Sequence, residues 1–267
     1  MIGVIGCGNM GKSMIEGISN SGLIEGSQIG IFDINKDKVD ELSSRLGVIS
    51  EADETAVFNN HKYIIIAVKP NGFEKLFKTL GKVENKSDKV VISIGAGIKI
   101  ASLEKMSDKN YRFFRAMPNL PVLVGEGMSA ISHRENVSEG EVEFVKSIFD
   151  SFGKGDIVDE SLMDVVVGIS GSSPAYVFMI IEAMADGAVL KGMPRDKAYK
   201  YAAQTLMGTA KMLLESKEHP GLLKDRVCSP GGTTIEAVKV LEDSGLRSAM
   251  IKAVVSATEK SEEMGKK

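Results

Sequence analysis

Over the first 158 residues, short apolar runs rich in β-branched residues alternate with longer amphipathic stretches. This alternation is typical of βαβ units built around a buried parallel sheet. The runs predict seven strands, at residues 3–5, 28–33, 63–67, 90–93, 112–116, 128–132 and 154–158. We therefore expect residues 1–158 to form a doubly wound α/β domain of the Rossmann type, with a mainly parallel sheet.

The pattern changes after Asp159, where no further strand is indicated and Ala, Met, Gly and Leu recur at helical spacing. Helices are predicted over residues 174–190, over 195–214, and from 234 to the C-terminus. A helix that begins near Glu160 is expected to lead from the first half into the second. Residues 159–267 are therefore predicted to be an all-α domain.

Charge and composition exclude several classes of protein. The 267 residues include 33 Lys and Arg against 36 Asp and Glu, with no basic stripe, so we expect no nucleic-acid partner. Uninterrupted apolar runs are far shorter than the ~20 residues that span a bilayer, so no membrane segment is expected. No secretory signal is visible, and Cys7 and Cys228 suggest no disulfide framework, which favours a cytoplasmic protein. Three scattered histidines without neighbours at metal-ligand spacing predict no metal site.

The first predicted strand runs directly into Gly6-Cys7-Gly8-Asn9-Met10-Gly11, a Gly-x-Gly-x-x-Gly sequence followed by a helix. Gly6 permits a tight turn, Gly8 lets the backbone approach a pyrophosphate, and Gly11 lets the helix pack closely on the strand. The helix N-terminus offers free N–H groups to the anion. A glycine-rich turn without a ligand is the alternative, but the position at the start of a βαβ series favours dinucleotide binding.

Asp33 ends the second predicted strand, where an acidic residue bonds the adenosine ribose hydroxyls of NAD. Asn35 and Lys36 follow directly and could instead receive the 2′-phosphate of NADP. Asp33 could also cap the next helix. The sequence therefore leaves NADPH and NADH open as cofactors.

Two further turns fall at the carboxyl ends of predicted strands, where open α/β sheets bind their ligands. These turns are Ala67-Val68-Lys69-Pro70 and Gly95-Ala96-Gly97. Both could be ordinary strand-to-helix turns, but their position opposite the glycine sequence favours loops that line the cofactor.

Two segments of the helical half are chemically unusual. In Cys228-Ser229-Pro230-Gly231-Gly232-Thr233-Thr234, two glycines precede a helix whose N-terminus could bind a carboxylate through backbone N–H groups. Plain capping by Thr233 or Thr234 is the alternative. Small residues in Ser170-Gly171-Ser172-Ser173-Pro174 interrupt the helix between the two halves, where a flat ligand could approach.

Together these segments resemble the pyrroline-5-carboxylate reductase family, in order and spacing, over nearly the whole chain. The resemblance rests on the glycine sequence, Ala67-Val68-Lys69-Pro70, Met117-Pro118-Asn119, Ser172-Ser173-Pro174-Ala175-Tyr176, His219-Pro220 and Ser229-Pro230-Gly231-Gly232-Thr233-Thr234. It implies NAD(P)H-dependent reduction of the C=N bond of 1-pyrroline-5-carboxylate to L-proline, the last step of proline biosynthesis. It also implies a helical domain like that of 6-phosphogluconate dehydrogenase, which pairs with a second subunit, and dimers that can assemble into decamers.

Carried over residue by residue, the resemblance implies a substrate site and a cofactor site. Gly231, Gly232, Thr233 and Thr234 would hold the substrate carboxylate, the Thr234 hydroxyl would bond the ring nitrogen as proton donor or relay, and Glu160 would line the pocket. The implied cofactor residues are Gly6, Cys7, Gly8, Asn9, Met10, Gly11, Asp33, Asn35, Lys36, Ala67, Val68, Lys69, Pro70, Gly95, Ala96 and Ser173.

Four positions depart from the family pattern. Ser173 stands where the family usually has Gly, Leu120 where Thr is common, and Glu54 where many members carry an Asn that reaches the cofactor. Lys217 stands where some relatives have an acidic residue.

The absence of paired carboxylates or a His base suits hydride transfer to an imine, because the protonated imine is already activated and needs little acid–base machinery. A 3-hydroxyacid dehydrogenase would need a Lys near Tyr176, where the chain has none. Another imine reductase, a dehydrogenase of a different small carboxylic acid, and a dinucleotide-binding regulatory protein remain as alternatives.

Overall fold

A computed structural model of the chain describes residues 1–80, 83–107 and 111–265. Its centre is an eight-stranded sheet with the order β3-β2-β1-β4-β5-β6-β7-β8. The strands are β1 Ile2–Ile5, β2 Ile29–Phe32, β3 Ile49–Ser50, β4 Tyr63–Ile66, β5 Val90–Ser93, β6 Arg112–Met117, β7 Gly127–His133 and β8 Gly153–Ile157. All seven predicted strands are present, with ends that shift by at most a few residues.

The strands pair in parallel except at one place, where β7 runs antiparallel to β6. The carboxyl ends of β1, β2, β4, β5 and β6 therefore share one edge of the sheet, as predicted for a doubly wound fold. The sequence pattern does not predict strand β3, which has only two residues, both exposed.

Six helices cover the two faces of the sheet. They are α1 Asn9–Asn20, α2 Lys36–Leu46, α3 Glu54–Asn60, α4 Phe73–Thr79, α5 Ile100–Met106 and α6 Glu139–Asp150. Buried residues of α1, α2 and α6 form one core cluster with the sheet, and those of α3, α4 and α5 form the other. Alternate strand residues divide between the clusters, as in β1, where Val4 joins the first and Ile5 the second.

The described residues after β8 contain helices and no strand, as predicted. The helices are α7 Met163–Val166, α8 Ser173–Leu190, α9 Arg195–Ser216, α10 Pro220–Val227, α11 Thr233–Asp243 and α12 Leu246–Met264. A π-helical turn at Val167–Gly171 separates α7 from α8. The sequence pattern does not predict α10, and the single helix expected from residue 234 onward is broken into α11 and α12 around Gly245, which has φ +75°.

Contacts divide the chain into two compact units. Unit 1 is Met1–Gly171 together with the C-terminal residues from Ala257, and unit 2 is Ser172–Ser256. Residues 159–171 are thus grouped with the first unit, although the sequence pattern places the change of domain near Asp159. The division into domains 1–158 and 159–267 stays a prediction.

Glu160–Leu190 is one helical stretch, among the described residues, long and apolar enough by composition to cross a bilayer. One such helix is weak support for a membrane protein, since core helices of soluble proteins pass the same test. Only 6% of its apolar window is buried within the single chain. The expectation that no segment enters a membrane therefore stays a prediction.

At the opposite edge of the sheet from the glycine sequence, His61 is buried beside Glu51. The Nε2 atom of His61 lies 2.7 Å from Glu51 Oε1, and Lys89 Nζ donates to the His61 carbonyl oxygen at 2.9 Å. Burial lowers the pKa of His61, and the hydrogen bond to Glu51 opposes this only in part. The imidazole is therefore neutral at pH 7.

Because the pKa of His61 is lower in the folded than in the unfolded chain, the unfolded chain binds the extra proton first as pH falls. We expect the free energy of unfolding to decrease between pH ~6.5 and the folded pKa, by at most ~1.4 kcal/mol per pH unit from this group. Urea unfolding at pH 5 to 7.5 measures this slope. The variant His61→Gln should lose the part of the slope that comes from His61, whereas His133→Gln should keep it. Equal slopes in wild type and His61→Gln would contradict the assignment.

Candidate functional site

Backbone from β1, α1 and the end of β4 meets at the glycine sequence. Gly6 has φ +103° and its N–H donates to the Phe32 carbonyl oxygen at 2.8 Å. A Cβ on Gly6 would lie 2.7 Å from the Ala67 carbonyl oxygen, and one on Gly11 would collide with the Gly6 carbonyl oxygen. Glycine is therefore required at both positions by the close approach of backbone.

Gly8 has a different environment. It is the N-cap of α1, in extended conformation, and no side chain caps the helix. A Cβ built on Gly8 would meet no atom within 4 Å. The first N–H groups of α1 thus have no side-chain cap and follow an open glycine, the arrangement that binds a phosphate.

A cavity of about 420 Å³ borders this loop, a volume within the range of ligand sites. Of the predicted cofactor residues, six line it: Gly6, Gly8, Asp33, Ala67, Val68 and Lys69. Lys36 lines a second cavity of about 340 Å³, which shares Phe32 and Asp33 with the first. The other predicted residues line neither cavity: Cys7, Asn9, Met10, Gly11, Asn35, Pro70, Gly95, Ala96 and Ser173.

Three charged residues of the first cavity are absent from the predicted cofactor set: Lys38, Glu54 and Lys75. Lys38 lies in the first turn of α2, two residues beyond the predicted Lys36, and this spacing turns it to a different side of the helix, so Lys36 gave no signal for it. Lys75 belongs to α4, and no sequence signal distinguishes it from a surface lysine.

The carboxylate of Asp33 is held by two backbone N–H groups. Cys7 N donates to Oδ2 at 2.6 Å and Asn35 N donates to Oδ1 at 2.8 Å. The cap of α2 is Asn35, whose side chain accepts from Asp37 N at 3.1 Å, so Asp33 is not the capping residue. Burial and the nearby Asp33 charge raise the pKa of the Cys7 thiol to about 12, which keeps it protonated.

Glu160, the predicted substrate residue of unit 1, is already engaged within that unit. Its Oε1 atom accepts from Ile100 N at 2.8 Å and lies 3.4 Å from Nη1 of the buried Arg115, while Oε2 lies 3.6 Å from Arg134 Nη1. The carboxylate therefore caps α5 and neutralises a buried guanidinium. Nearby, Asn119 donates to the Ser170 carbonyl oxygen at 3.1 Å and accepts from Met128 N at 2.8 Å, which ties the π-helical turn to β7.

In unit 2, the N-cap of α11 is Gly232 and not a threonine. Gly231 has φ +67°, Gly232 is the extended N-cap, and no side chain caps the helix. Thr233 and Thr234 are the first two helical residues, so capping by either is wrong. A Cβ on Gly232 would displace the Ser229 hydroxyl. The half-buried Thr234 hydroxyl has no partner among the described residues.

The two ends of the chain match known families. Residues 160–264 match the family model described as pyrroline-5-carboxylate reductase dimerisation, and residues 1–97 match that of NADP oxidoreductase, coenzyme F420-dependent. The chain is 47% identical over 265 residues to the pyrroline-5-carboxylate reductase of Escherichia coli (strain K12), covering 99% of this chain and 98% of the relative. The chain belongs to the pyrroline-5-carboxylate reductase family.

Other members of the family are also similar to this chain over nearly its whole length. The reductase of Methanosarcina acetivorans is 42% identical over 266 residues, covering 100% of this chain and 98% of the relative. The pyrroline-5-carboxylate reductase structure from Coxiella burnetii has a TM-score of 0.93 at 32% identity, covering 98% of this chain and 97% of that one. The Plasmodium falciparum pyrroline carboxylate reductase, with NADP bound, has a TM-score of 0.87 at 30% identity, covering 99% and 97%.

These matches confirm the family that the sequence resembles, the α/β fold with a helical second half, and NAD(P)H-dependent reductase activity. They also show that this pyrroline-5-carboxylate reductase family member carries a dimerisation domain. Among the described residues, no group of three or more His, Cys, Asp or Glu side chains could hold a metal ion.

The different surroundings of Gly8 and Gly11 suggest a matched pair of variants. Gly8→Val should leave the melting temperature within about 2 °C of wild type, because its Cβ meets nothing, yet raise the Kd for the cofactor at least ~10-fold. Gly11→Val should lower the melting temperature, because its side chain collides with backbone. Cofactor titration by nicotinamide fluorescence and thermal melting measure both effects. Normal cofactor affinity in a folded Gly8→Val variant would place the pyrophosphate elsewhere.

Proposed function

We propose that this chain reduces 1-pyrroline-5-carboxylate, with the cofactor pyrophosphate at residues 6–11 and the substrate carboxylate at residues 231–234. The observation that carries the assignment is the start of α11, which offers uncapped N–H groups beside two glycines. Oxidation of NADPH or NADH in the presence of 1-pyrroline-5-carboxylate, with L-proline identified as product, tests it. Oxidation of neither cofactor would contradict it.

The cofactor side of the proposal rests on the cavity beside the glycine loop. The open face of Gly8 and the first N–H groups of α1 suit a pyrophosphate, and Asp33 stands at the end of β2 where the adenosine ribose is expected. Gly95 and Ala96 follow β5, on the nicotinamide side of the sheet in this plan. The bound nicotinamide supplies the hydride.

The substrate side rests on electrostatics at one helix end. The N–H groups of Thr233 and Thr234 have no acceptor within α11, and the N-terminus of a helix carries partial positive charge. A carboxylate is the anion that pyrroline-5-carboxylate presents. No cationic side chain is needed there, because charge-assisted bonds from several backbone N–H groups suffice to orient it.

Reduction requires one hydride and control of one proton. Hydride adds to the imine carbon, the π electron pair of the C=N bond moves to nitrogen, and the nitrogen ends protonated. We propose that the Thr234 hydroxyl, on a residue whose own N–H is offered to the carboxylate, holds that nitrogen and donates or relays the proton. We propose that Glu160, whose carboxylate pairs with Arg115, lies at the edge of the substrate pocket.

Thr234→Ala should lower kcat by ~10²-fold, the usual effect of losing a positioned proton donor. Since Gly232 and not a threonine is the N-cap, the melting temperature should hardly change. Thr234→Ser should recover most of kcat, and Thr233→Ala, the matched control, should retain it. Loss of kcat in Thr233→Ala but not in Thr234→Ala would transfer the role to Thr233.

We further propose that unit 2 is covered by a second copy of the chain, with decamers as a larger assembly that the family resemblance implies. Its buried hydrophobic residues are only Ala185, Ala198 and Ala202. Large apolar side chains stay exposed on α8 and α9, among them Phe178 at 61%, Leu190 at 85% and Leu214 at 77%. Exposed apolar surface of this extent marks an interface. If a second copy of the chain covers residues 160–190, no bilayer is needed to cover them.

Light scattering after size exclusion should give at least twice the chain mass of 28.7 kDa at micromolar concentration. Phe178→Glu should lower that mass, because it puts a charge into the covered face. Ile34→Glu, at a residue 91% exposed in unit 1, should not. A strictly monomeric wild type would contradict the pairing.

We also propose a cytoplasmic location, without a nucleic-acid partner. Both cysteines are free, Cys7 buried and Cys228 half-buried, which suits a reducing compartment. Reducing agent should accordingly leave the melting temperature unchanged.

A further inference from the structure

We propose that Asp33 makes NADH the preferred cofactor of this chain, because its carboxylate is clamped beside the ribose position and cannot turn away from a 2′-phosphate. The inference deepens the proposed function and rests on it. The sequence alone leaves the cofactor open, since Asn35 and Lys36 could offset the charge of Asp33. The structure gives these three residues different partners.

The clamp consists of the two backbone hydrogen bonds to Asp33. Its Oδ2 accepts from Cys7 N, inside the glycine loop, and its Oδ1 accepts from Asn35 N, at the turn into α2. Each carboxylate oxygen keeps a second lone pair, which can accept a ribose hydroxyl. Rotation away from a phosphate would break both bonds, one of which holds the pyrophosphate loop itself. A freely rotating side chain could turn away from a 2′-phosphate, but the two hydrogen bonds hold the Asp33 carboxylate in place.

Asp33 lies between the glycine loop and α2. Ile5 of β1 is in register with Phe32 of β2, so Asp33 lies directly beside the start of the glycine loop. Asp33 and Phe32 are also the residues that both cavities share. A ligand that reaches from the glycine loop toward α2 therefore passes the carboxylate.

The groups that could receive a 2′-phosphate are less well placed. The Asn35 side chain is used as the cap of α2. Lys36 lines the second cavity only, together with the carboxylate of Asp40. Lys38 faces the first cavity, but Glu54 faces the same cavity. The Asn35 amide is thus engaged, each lysine shares its cavity with a carboxylate, and Asp33 is fixed by two hydrogen bonds.

Lys69 and Lys75 also line the first cavity, but they follow β4. Because β4 and β2 lie on opposite sides of β1, the loop that carries Lys69 and the loop that carries Asp33 flank the glycine loop on opposite sides. The lysines after β4 therefore suit the pyrophosphate, which the glycine loop would hold. A 2′-phosphate would meet a like charge at Asp33, and such contacts discriminate between ligands.

The test compares kcat/KM for NADH and NADPH with 1-pyrroline-5-carboxylate, alongside direct titration of both cofactors without substrate. We expect wild type to favour NADH by ~10-fold or more. Asp33→Ser should raise the NADPH to NADH ratio at least ~10-fold, and Asp33→Asn should raise it while weakening both cofactors, since an amide accepts only one of the two N–H groups. Asp37→Asn, a carboxylate of the same turn that lines neither cavity, is the matched control and should leave the ratio unchanged.

A wild-type preference for NADPH, in kinetics or in titration, overturns the proposal, and so does an unchanged ratio in a folded Asp33→Ser variant. The titration of wild type decides between the two cofactors even if that variant does not fold. Selective binding of NADH without turnover of 1-pyrroline-5-carboxylate would support the Asp33 assignment and overturn the proposed function. Failure to bind either cofactor would overturn both.

Discussion

Close contact of bare backbone at the carboxyl end of β1 is the constraint on which the cofactor half depends. Gly6, Gly11 and the carbonyl group of Ala67 meet with no space for a Cβ atom. This contact brings α1 against β1 and β4 and leaves the N–H groups of the helix facing outward. The same turn delivers Cys7 N to Asp33, so the loop, the sheet edge and the ribose position are fixed together. A methyl group at Gly6 or Gly11 would disturb all three at once.

The two proposed anion sites are built alike although they lie in different units. Helices α1 and α11 both begin at an extended glycine N-cap that closely follows a glycine of positive φ. Helices α2, α3 and α6, in contrast, are capped by the side chains of Asn35, Asp53 and Ser138. A side-chain cap satisfies the first N–H groups internally, whereas a glycine cap leaves them for a ligand. The extended glycine N-caps of α1 and α11 thus leave N–H groups for the proposed ligands, whereas α2, α3 and α6 use theirs within the fold.

The pattern of apolar residues along the chain predicts most of the sheet. It fails where a feature depends on residues distant in sequence. Buried β-branched runs predict seven strands, but Ile49 and Ser50 form β3 only because β2 pairs with them. The helical spacing after residue 234 continues through Gly245, so periodicity could not place the break there. A ligand contact is predicted for Asp33 from its place at a strand end and for Glu160 from the family resemblance. The structure shows partners distant in sequence, Cys7 and Arg115, that hold each carboxylate. Such long-range pairs leave no local signal.

The exposed apolar faces of α8 and α9 have a genetic consequence under the proposed pairing. A copy with a damaged glycine loop still presents an intact helical half and would still enter pairs. In a cell that makes intact and damaged chains together, most pairs would then contain a damaged member, but every mixed pair would keep one intact glycine loop. A copy with a disrupted helical half would fail to pair, since its stability is inseparable from the concentration of partners. The place of a mutation along the chain would thus set whether its product still enters mixed pairs or is excluded from them.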